Sequence, residues 1–201
     1  RSRDIDSILY EVNEAVSEGF SEITLLGQNV NSYSYGQINF EQLLGTIAKL
    51  SSVKRIRYTS PHPKDITVEL LHTMNKYKNI CNYIHLPLQA GSDAILKRMN
   101  RTYTKNQFLE LAIKIRKILP NVGISTDIIV GFPGETDDDF NETLDIMRKI
   151  KFDSAFNFKY SSRPGTKASE YEDQIKENVK QRRLEKIIAL QKKHTLERNS
   201  K

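Results

Sequence analysis

Gly123-Ile124-Ser125-Thr126-Asp127-Ile128-Ile129-Val130, then Gly131-Phe132-Pro133-Gly134-Glu135, then Thr136 to Ile150, is the stretch that decides the fold. The first run is apolar and β-branched, too short for a helix of ordinary length, and reads as a buried strand. Glycine and proline break it. Thr136 with Asp139 resembles a capping box, and a helix follows to Ile150. A largely apolar strand that feeds a helix through a tight turn is one unit of a parallel, helix-covered sheet.

The same alternation recurs outward from this unit. Upstream, a helix is predicted over Asp4–Glu18, a strand over Ile23–Leu26 and a polar loop over Gly27–Gln37. A helix over Phe40–Leu50, a strand over Val53–Thr59 and a helix over Ile66–Asn75 follow. Then come a strand over Tyr83–Leu86 and helices over Ser92–Met99 and Thr104–Leu119. Downstream lie a strand over Ala155–Tyr160 and a long charged helix from Ile175 to about Arg198. The order is one helix and then five β-α units, which predicts an α/β fold. Five strands are too few for a closed eight-stranded barrel, and a six-stranded partial barrel lacking its first strand fits.

Composition sets the outer limits. The chain has 201 residues, 38% hydrophobic and 28% charged, which suits a folded domain and not a disordered one. No run of about 18 apolar residues exists, so no membrane span is expected, and a cytoplasmic protein is inferred. Lys plus Arg number 31 against 25 Asp plus Glu, a net +6 that permits a nucleic-acid partner without establishing one. The single cysteine, Cys81, can neither pair within the chain nor hold a metal cluster alone, and is expected to be buried.

Parallel α/β folds do their chemistry at the carboxyl ends of the strands. Polar clusters stand at each such end. Gln28, Asn29 and Asn31 follow the first strand; Ser60, His62 and Lys64 follow the second. His85 and Gln89 mark the third, Asp127 and Gly131 the fourth, and Lys159, Tyr160 and Arg163 the fifth. Each has a plain structural reading as well. Gln28 and Asn29 suit a turn, His62 can cap a loop between prolines, and His85 can be a satisfied core histidine. Asp127 is harder to explain away, because a carboxylate buried in an apolar strand needs a partner. Asp137-Asp138-Asp139 suits a helix N-terminus better than a metal, and Lys97, Arg98 and Arg101 read as a solvated face or as phosphate contacts. No HExxH, Walker or dinucleotide-binding pattern is present, so these patterns alone do not name a reaction.

Five co-linear motifs add a resemblance. They are Leu25-Leu26-Gly27-Gln28-Asn29-Val30-Asn31, Ser60-Pro61-His62-Pro63, His85-Leu86-Pro87-Leu88-Gln89-Ala90-Gly91-Ser92, Thr126-Asp127 through Glu135-Thr136, and Phe156 through Thr166. Together they resemble the radical S-adenosylmethionine (SAM) methylthiotransferases, and Gly27-Gln28-Asn29-Val30-Asn31 favours the tRNA-modifying branch. Several consequences are implied by the resemblance alone. Residues 1–201 form a radical SAM core fragment, a partial (β/α)6 barrel without its first strand. Two 4Fe–4S clusters belong to the full-length enzyme, one held by a CxxxCxxC upstream of Arg1 and one in an N-terminal domain. A C-terminal RNA-binding TRAM domain follows, and the fragment alone is inactive.

The implied reaction is C2-methylthiolation of N6-isopentenyladenosine beside the anticodon of tRNA, with flavodoxin or ferredoxin as electron donor. The implied SAM contacts are Gln28, Asn29, Ser60, Gln89, Asp127, Ile129, Gly131, Asn157, Phe158 and Tyr160. Substrate contacts would come from Asn31, His62, His85, Lys159 and Arg163. Two alternatives stand beside this reading: methylthiolation of a ribosomal-protein aspartate, and a non-catalytic α/β module that binds RNA.

Overall fold

A computed structural model describes residues 2–50, 52–59 and 62–200. The chain divides into two compact units. The first comprises Arg1–His85 with Ile115–Val122, and the second Leu86–Lys114 with Gly123–Lys201.

In the first unit, helix α1 (Ile5–Ser17) starts where the Asp4 carboxylate accepts from the Ser7 N–H. Strand β1 (Glu22–Leu25) follows. The stretch expected to be a polar loop holds a 3-10 turn, Val30–Ser32, and a small antiparallel hairpin of β2 (Ser34–Tyr35) and β3 (Ile38–Asn39). Gly36, at φ +59, makes that hairpin's turn. Helix α2 (Phe40–Ala48) begins with a reciprocal Asn39–Gln42 capping box. Strand β4 (Arg55–Tyr58) lies parallel to β1, with Ile23 opposite Ile56. Helix α3 (Val68–Lys76), capped by Thr67, and strand β5 (Tyr83–His85) complete the order. Phe40, Leu43, Leu44, Ile47, Ile56, Leu70 and Leu71 form the core. The Phe40 ring meets Tyr58 edge-on, with centroids 5.3 Å apart. Cys81 is half-buried, which corrects the expectation of a buried thiol; beside it, its backbone N–H donates to the Ile56 carbonyl.

In the second unit, helices α4 (Asp93–Arg98) and α5 (Lys105–Ile118) precede strand β6 (Gly123–Val130). Helix α5 passes its last turn to the first unit at Ile115. Helix α6 (Asp137–Ile150), strand β7 (Ser154–Lys159) and helix α7 (Glu177–Asn199) follow. Strand β7 runs parallel to β6, with Asp127 opposite Phe156 and Ile129 opposite Phe158. The Leu86–Gln89 segment lies along the other side of β6: Leu86 N–H donates to the Ser125 carbonyl and Gln89 N–H to the Asp127 carbonyl. The predicted Thr136–Asp139 capping box is present.

Helix α7 is where composition misleads most. Its buried stripe is Lys180, Arg183, Ile187, Gln191 and His194, at helical spacing but mostly polar. Three of its four polar members find partners, while the buried His194 Nδ1 has none among the described residues. Lys180 Nζ donates to the Tyr160 carbonyl, Gln191 to the Phe152 carbonyl, and Arg183 to Glu135. Burial pulls the His194 imidazole below its ordinary value.

Candidate functional site

The second unit contains a cavity of about 980 Å³ beside the carboxyl ends of β6 and β7. Its position follows from the parallel register, because strands that end together leave their following loops at one rim. Gln89, Asp127, Ile129, Phe158, Lys159, Tyr160 and Arg163 all line it, so seven of the expected site residues are brought together.

The backbone at Gln89 is left-handed, with φ +68, an uncommon state for a residue that carries a side chain. The residue is buried and lines the cavity, and its side-chain amide has no hydrogen-bond partner among the described residues. Both backbone groups of Gln89 are used along β6, where its carbonyl accepts from Ile129 N–H at 2.9 Å. The following Gly91 sits directly on α6. A Cβ there would lie 2.4 Å from the Thr143 Cα, so no other residue fits. Its N–H donates to the Thr143 hydroxyl at 2.9 Å, which fixes the turn after Gln89.

Asp127 is half-buried, not sealed in the core as the strand pattern implies; its side chain is on the cavity wall. Ile129 lies two residues further on the same face. Phe132 and Tyr160 close the inner end, with ring centroids 5.1 Å apart and nearly perpendicular. The Tyr160 hydroxyl is buried and lacks a partner among the described residues. Buried polar atoms without partners are rare in folded proteins, and this one belongs to a residue that lines the cavity.

The loop behind the cavity is clamped from α7. Gly131, at φ +71, packs so closely that a Cβ would fall 2.4 Å from the Lys180 Cγ. Its N–H donates to the Glu135 carboxylate at 2.7 Å. Burial pushes the Glu135 carboxyl above the usual carboxylate range, against the opposing pull of that N–H and of Arg183. Arg183 also reaches Asp137 at 2.8 Å, and that bond holds the exposed Asp137 carboxyl below its ordinary range. Two acidic residues of the first turn of α6 are thus engaged, Asp139 in capping and Asp137 with α7. Gly131 and Asn157 do not line the cavity; by strand alternation Asn157 is on the face of β7 opposite Phe158.

The remaining expected residues belong to the first unit. Gln28 and Asn29 are exposed at the carboxyl end of β1. Asn31 is buried, and its amide bridges the His62 backbone, donating to the carbonyl at 3.0 Å and accepting from the N–H at 2.8 Å. His62 caps the 3-10 turn Pro63–Asp65 through Nδ1, the structural alternative that its flanking prolines suggested. His85 ends β5 half-buried. Ser60 lies outside the described residues. The sequence leaves Lys97, Arg98 and Arg101 between a solvated face and phosphate contacts and does not single out Phe132, Lys167 or Tyr171; all six line the cavity.

This geometry suits a nucleoside with a charged, zwitterionic tail: aromatic and aliphatic walls for the base, unpaired amide and hydroxyl groups for polar atoms. The model of the radical SAM superfamily matches residues 1–147. The chain belongs to the radical SAM superfamily. Within it, the chain is 49% identical over 202 residues to the tRNA-2-methylthio-N(6)-dimethylallyladenosine synthase of Carboxydothermus hydrogenoformans, covering 99% of this chain and 46% of the relative. It is 51% identical over 191 residues to the Clostridium novyi protein of the same name, covering 94% and 42%. The chain therefore spans less than half the length of these relatives.

Among solved structures, coproporphyrinogen III oxidase (HemN) from Escherichia coli, a radical SAM enzyme, superposes with a TM-score of 0.67 at 16% identity, over 94% of this chain and 46% of that one. The cobalamin-dependent radical SAM enzyme OxsB gives 0.60 at 13% identity, over 96% and 27%. These likenesses concern the fold, and they bear out the expected α/β fold of radical SAM type. The cavity residues fit SAM. An iron–sulfur cluster is a different matter: Cys81 is the one cysteine, and no group of three His, Cys, Asp or Glu that could hold a metal occurs among the described residues. No helix among those residues is long and apolar enough to cross a membrane.

Proposed function

We propose that this chain is the SAM-binding core of a tRNA methylthiotransferase that places a methylthio group on C2 of N6-dimethylallyladenosine beside the anticodon. The 49% identity over nearly the whole of this chain to a synthase of that name carries the reading, and the cavity offers it a location. One SAM bound there would, on reductive cleavage, supply the radical that removes the C2 hydrogen; a second SAM would supply the methyl group, and an auxiliary cluster of the full-length enzyme the sulfur.

The protein's own part is binding, orientation and exclusion of water. Gln89 and Tyr160 offer an amide and a hydroxyl to polar atoms of the cofactor, and Asp127 a carboxylate to its ribose or amino group. Ile129 packs on the adenine. The Gly131 turn, held by Glu135 and Arg183, keeps that wall from moving. The adenosine to be modified lies in a single-stranded loop, so it can enter without opening a duplex. A soluble reductant such as flavodoxin or ferredoxin and a cytoplasmic setting complete the proposal.

The test uses the complete polypeptide that carries this chain, reconstituted anaerobically with iron and sulfide. It is given SAM, dithionite and tRNA bearing N6-dimethylallyladenosine, and the digested nucleosides are weighed. The 2-methylthio nucleoside is expected, and alanine at Gln89 or Asp127 should sharply lower 5′-deoxyadenosine formation. Methylthiolation of a ribosomal-protein aspartate instead of the nucleoside, or no SAM cleavage at all, contradicts the reading.

A further inference from the structure

The cavity wall has a second character that SAM alone does not use. Six cations line it: Lys97, Arg98, Arg101, Lys159, Arg163 and Lys167. Asp127 is the one carboxylate among its lining residues. Two of the cations are paired, Arg98 with Asp173 at 2.7 Å and Lys159 with Glu177. The other four, Lys97, Arg101, Arg163 and Lys167, have no ion pair among the described residues.

These four come from two short, fixed pieces of chain. Helix α4 ends in a left-handed Asn100, φ +56, and the Arg101 N–H returns to the Leu96 carbonyl at 2.9 Å. That closure brings Lys97 and Arg101 to the same rim. After β7, Thr166 bonds back to the Arg163 carbonyl through both its N–H, at 3.2 Å, and its hydroxyl, at 2.8 Å, so Arg163 and Lys167 flank one turn. Between these pieces the wall is aromatic: Phe132 meets Tyr160 and Tyr171, and Phe158 is 52% exposed.

Aromatic faces bordered by unpaired cations are the chemistry of single-stranded nucleic acid, where bases stack and phosphates are neutralised without sequence readout. We propose that the phosphodiesters flanking the nucleotide to be modified rest on Lys97 and Arg101 of α4 and on Arg163 and Lys167 after β7, with its base against the exposed Phe158. The proposal rests on the tRNA-modifying reading and assigns the groups that hold the RNA backbone at that site.

The complete protein is titrated with a fluorescent anticodon stem-loop RNA at several salt concentrations, followed by anisotropy. K97A/R101A and R163A/K167A should each weaken binding about tenfold and reduce the slope of log affinity against log salt by about 1.4, at about 0.7 per lost phosphate contact. The charge-preserving K97R/R101K should keep the wild-type slope, and K114A, at an exposed lysine on α5 outside the cavity, should change neither quantity. Wild-type affinity and slope in both alanine pairs overturn the proposal. tRNA methylthiolation by the same wild-type preparation keeps the two ideas apart. Product with unaltered variant binding sinks the phosphate contacts alone. Weakened variant binding without product supports those contacts and sinks the tRNA-modifying reading.

Discussion

The Arg183 guanidinium donates to the Glu135 carboxylate at 2.7 Å, with the two side chains only 5% and 1% exposed. The same arginine donates to the Glu135 carbonyl at 3.0 Å and lies over the Phe140 ring. It therefore joins α7 to the turn that follows β6. A buried pair contributes little beyond an apolar pair of equal volume, but breaking it strands a charge. Arg183→Ala should lower stability by about 3–5 kcal/mol in urea unfolding. Replacing Arg183 and Glu135 together with Met and Leu should recover most of that loss. A cost below about 1 kcal/mol for the single change would mean that the pair is solvated.

Gly91→Ala should be costly for a different reason. Its new methyl meets backbone, the Thr143 Cα at 2.4 Å and the Glu142 carbonyl oxygen at 2.8 Å, so α6 must shift. The expected loss is about 1–3 kcal/mol, the range for overpacking a close contact. Gly36→Ala is the control. Nothing lies within 4 Å of its Cβ position, and only left-handed strain opposes the change, about 1–2 kcal/mol. Thermal unfolding measures the two losses, and SAM affinity separates the mechanisms. SAM affinity should fall in Gly91→Ala and hold in Gly36→Ala.

Tyr103 predicts an alkaline limit. Its hydroxyl donates to the Pro87 carbonyl at 2.9 Å and the Leu88 carbonyl at 3.1 Å, and burial pushes its ionisation up to about 12. A folded value above the unfolded one means the protonated phenol stabilises the fold. That contribution is whole below pH of about 10 and is lost as pH rises toward about 12. Wild-type melting temperature should fall more steeply over this interval than that of Tyr103→Phe. Parallel profiles would assign the alkaline loss to other groups.

Much of this was legible in the chain. The β6 strand, the Thr136–Asp139 box and the polar clusters at strand ends follow from spacing, because burial on both faces leaves a continuous apolar run and caps need particular side chains. Other features follow from contacts that spacing does not encode. The inward stripe of α7 is Lys, Arg, Gln and His, so it carries no apolar periodicity. Asn31 looked like a ligand-binding residue, yet its amide serves the His62 backbone, a partner 31 positions away. Lys167 and Tyr171 lie in a segment without regular pattern, and they reach the cavity because Arg98 stacks over the Tyr171 ring at 4.5 Å while holding Asp173.

The central claim is that the cavity at the ends of β6 and β7 is the SAM site. Titration calorimetry of the complete, cluster-reconstituted protein with SAM tests it most directly, comparing wild type with Gln89→Ala and Tyr160→Phe. The account predicts SAM affinity weakened about tenfold in Gln89→Ala and measurably in Tyr160→Phe, as expected when a buried ligand loses a hydrogen bond, with melting temperatures close to wild type. Wild-type affinity in both variants would contradict it.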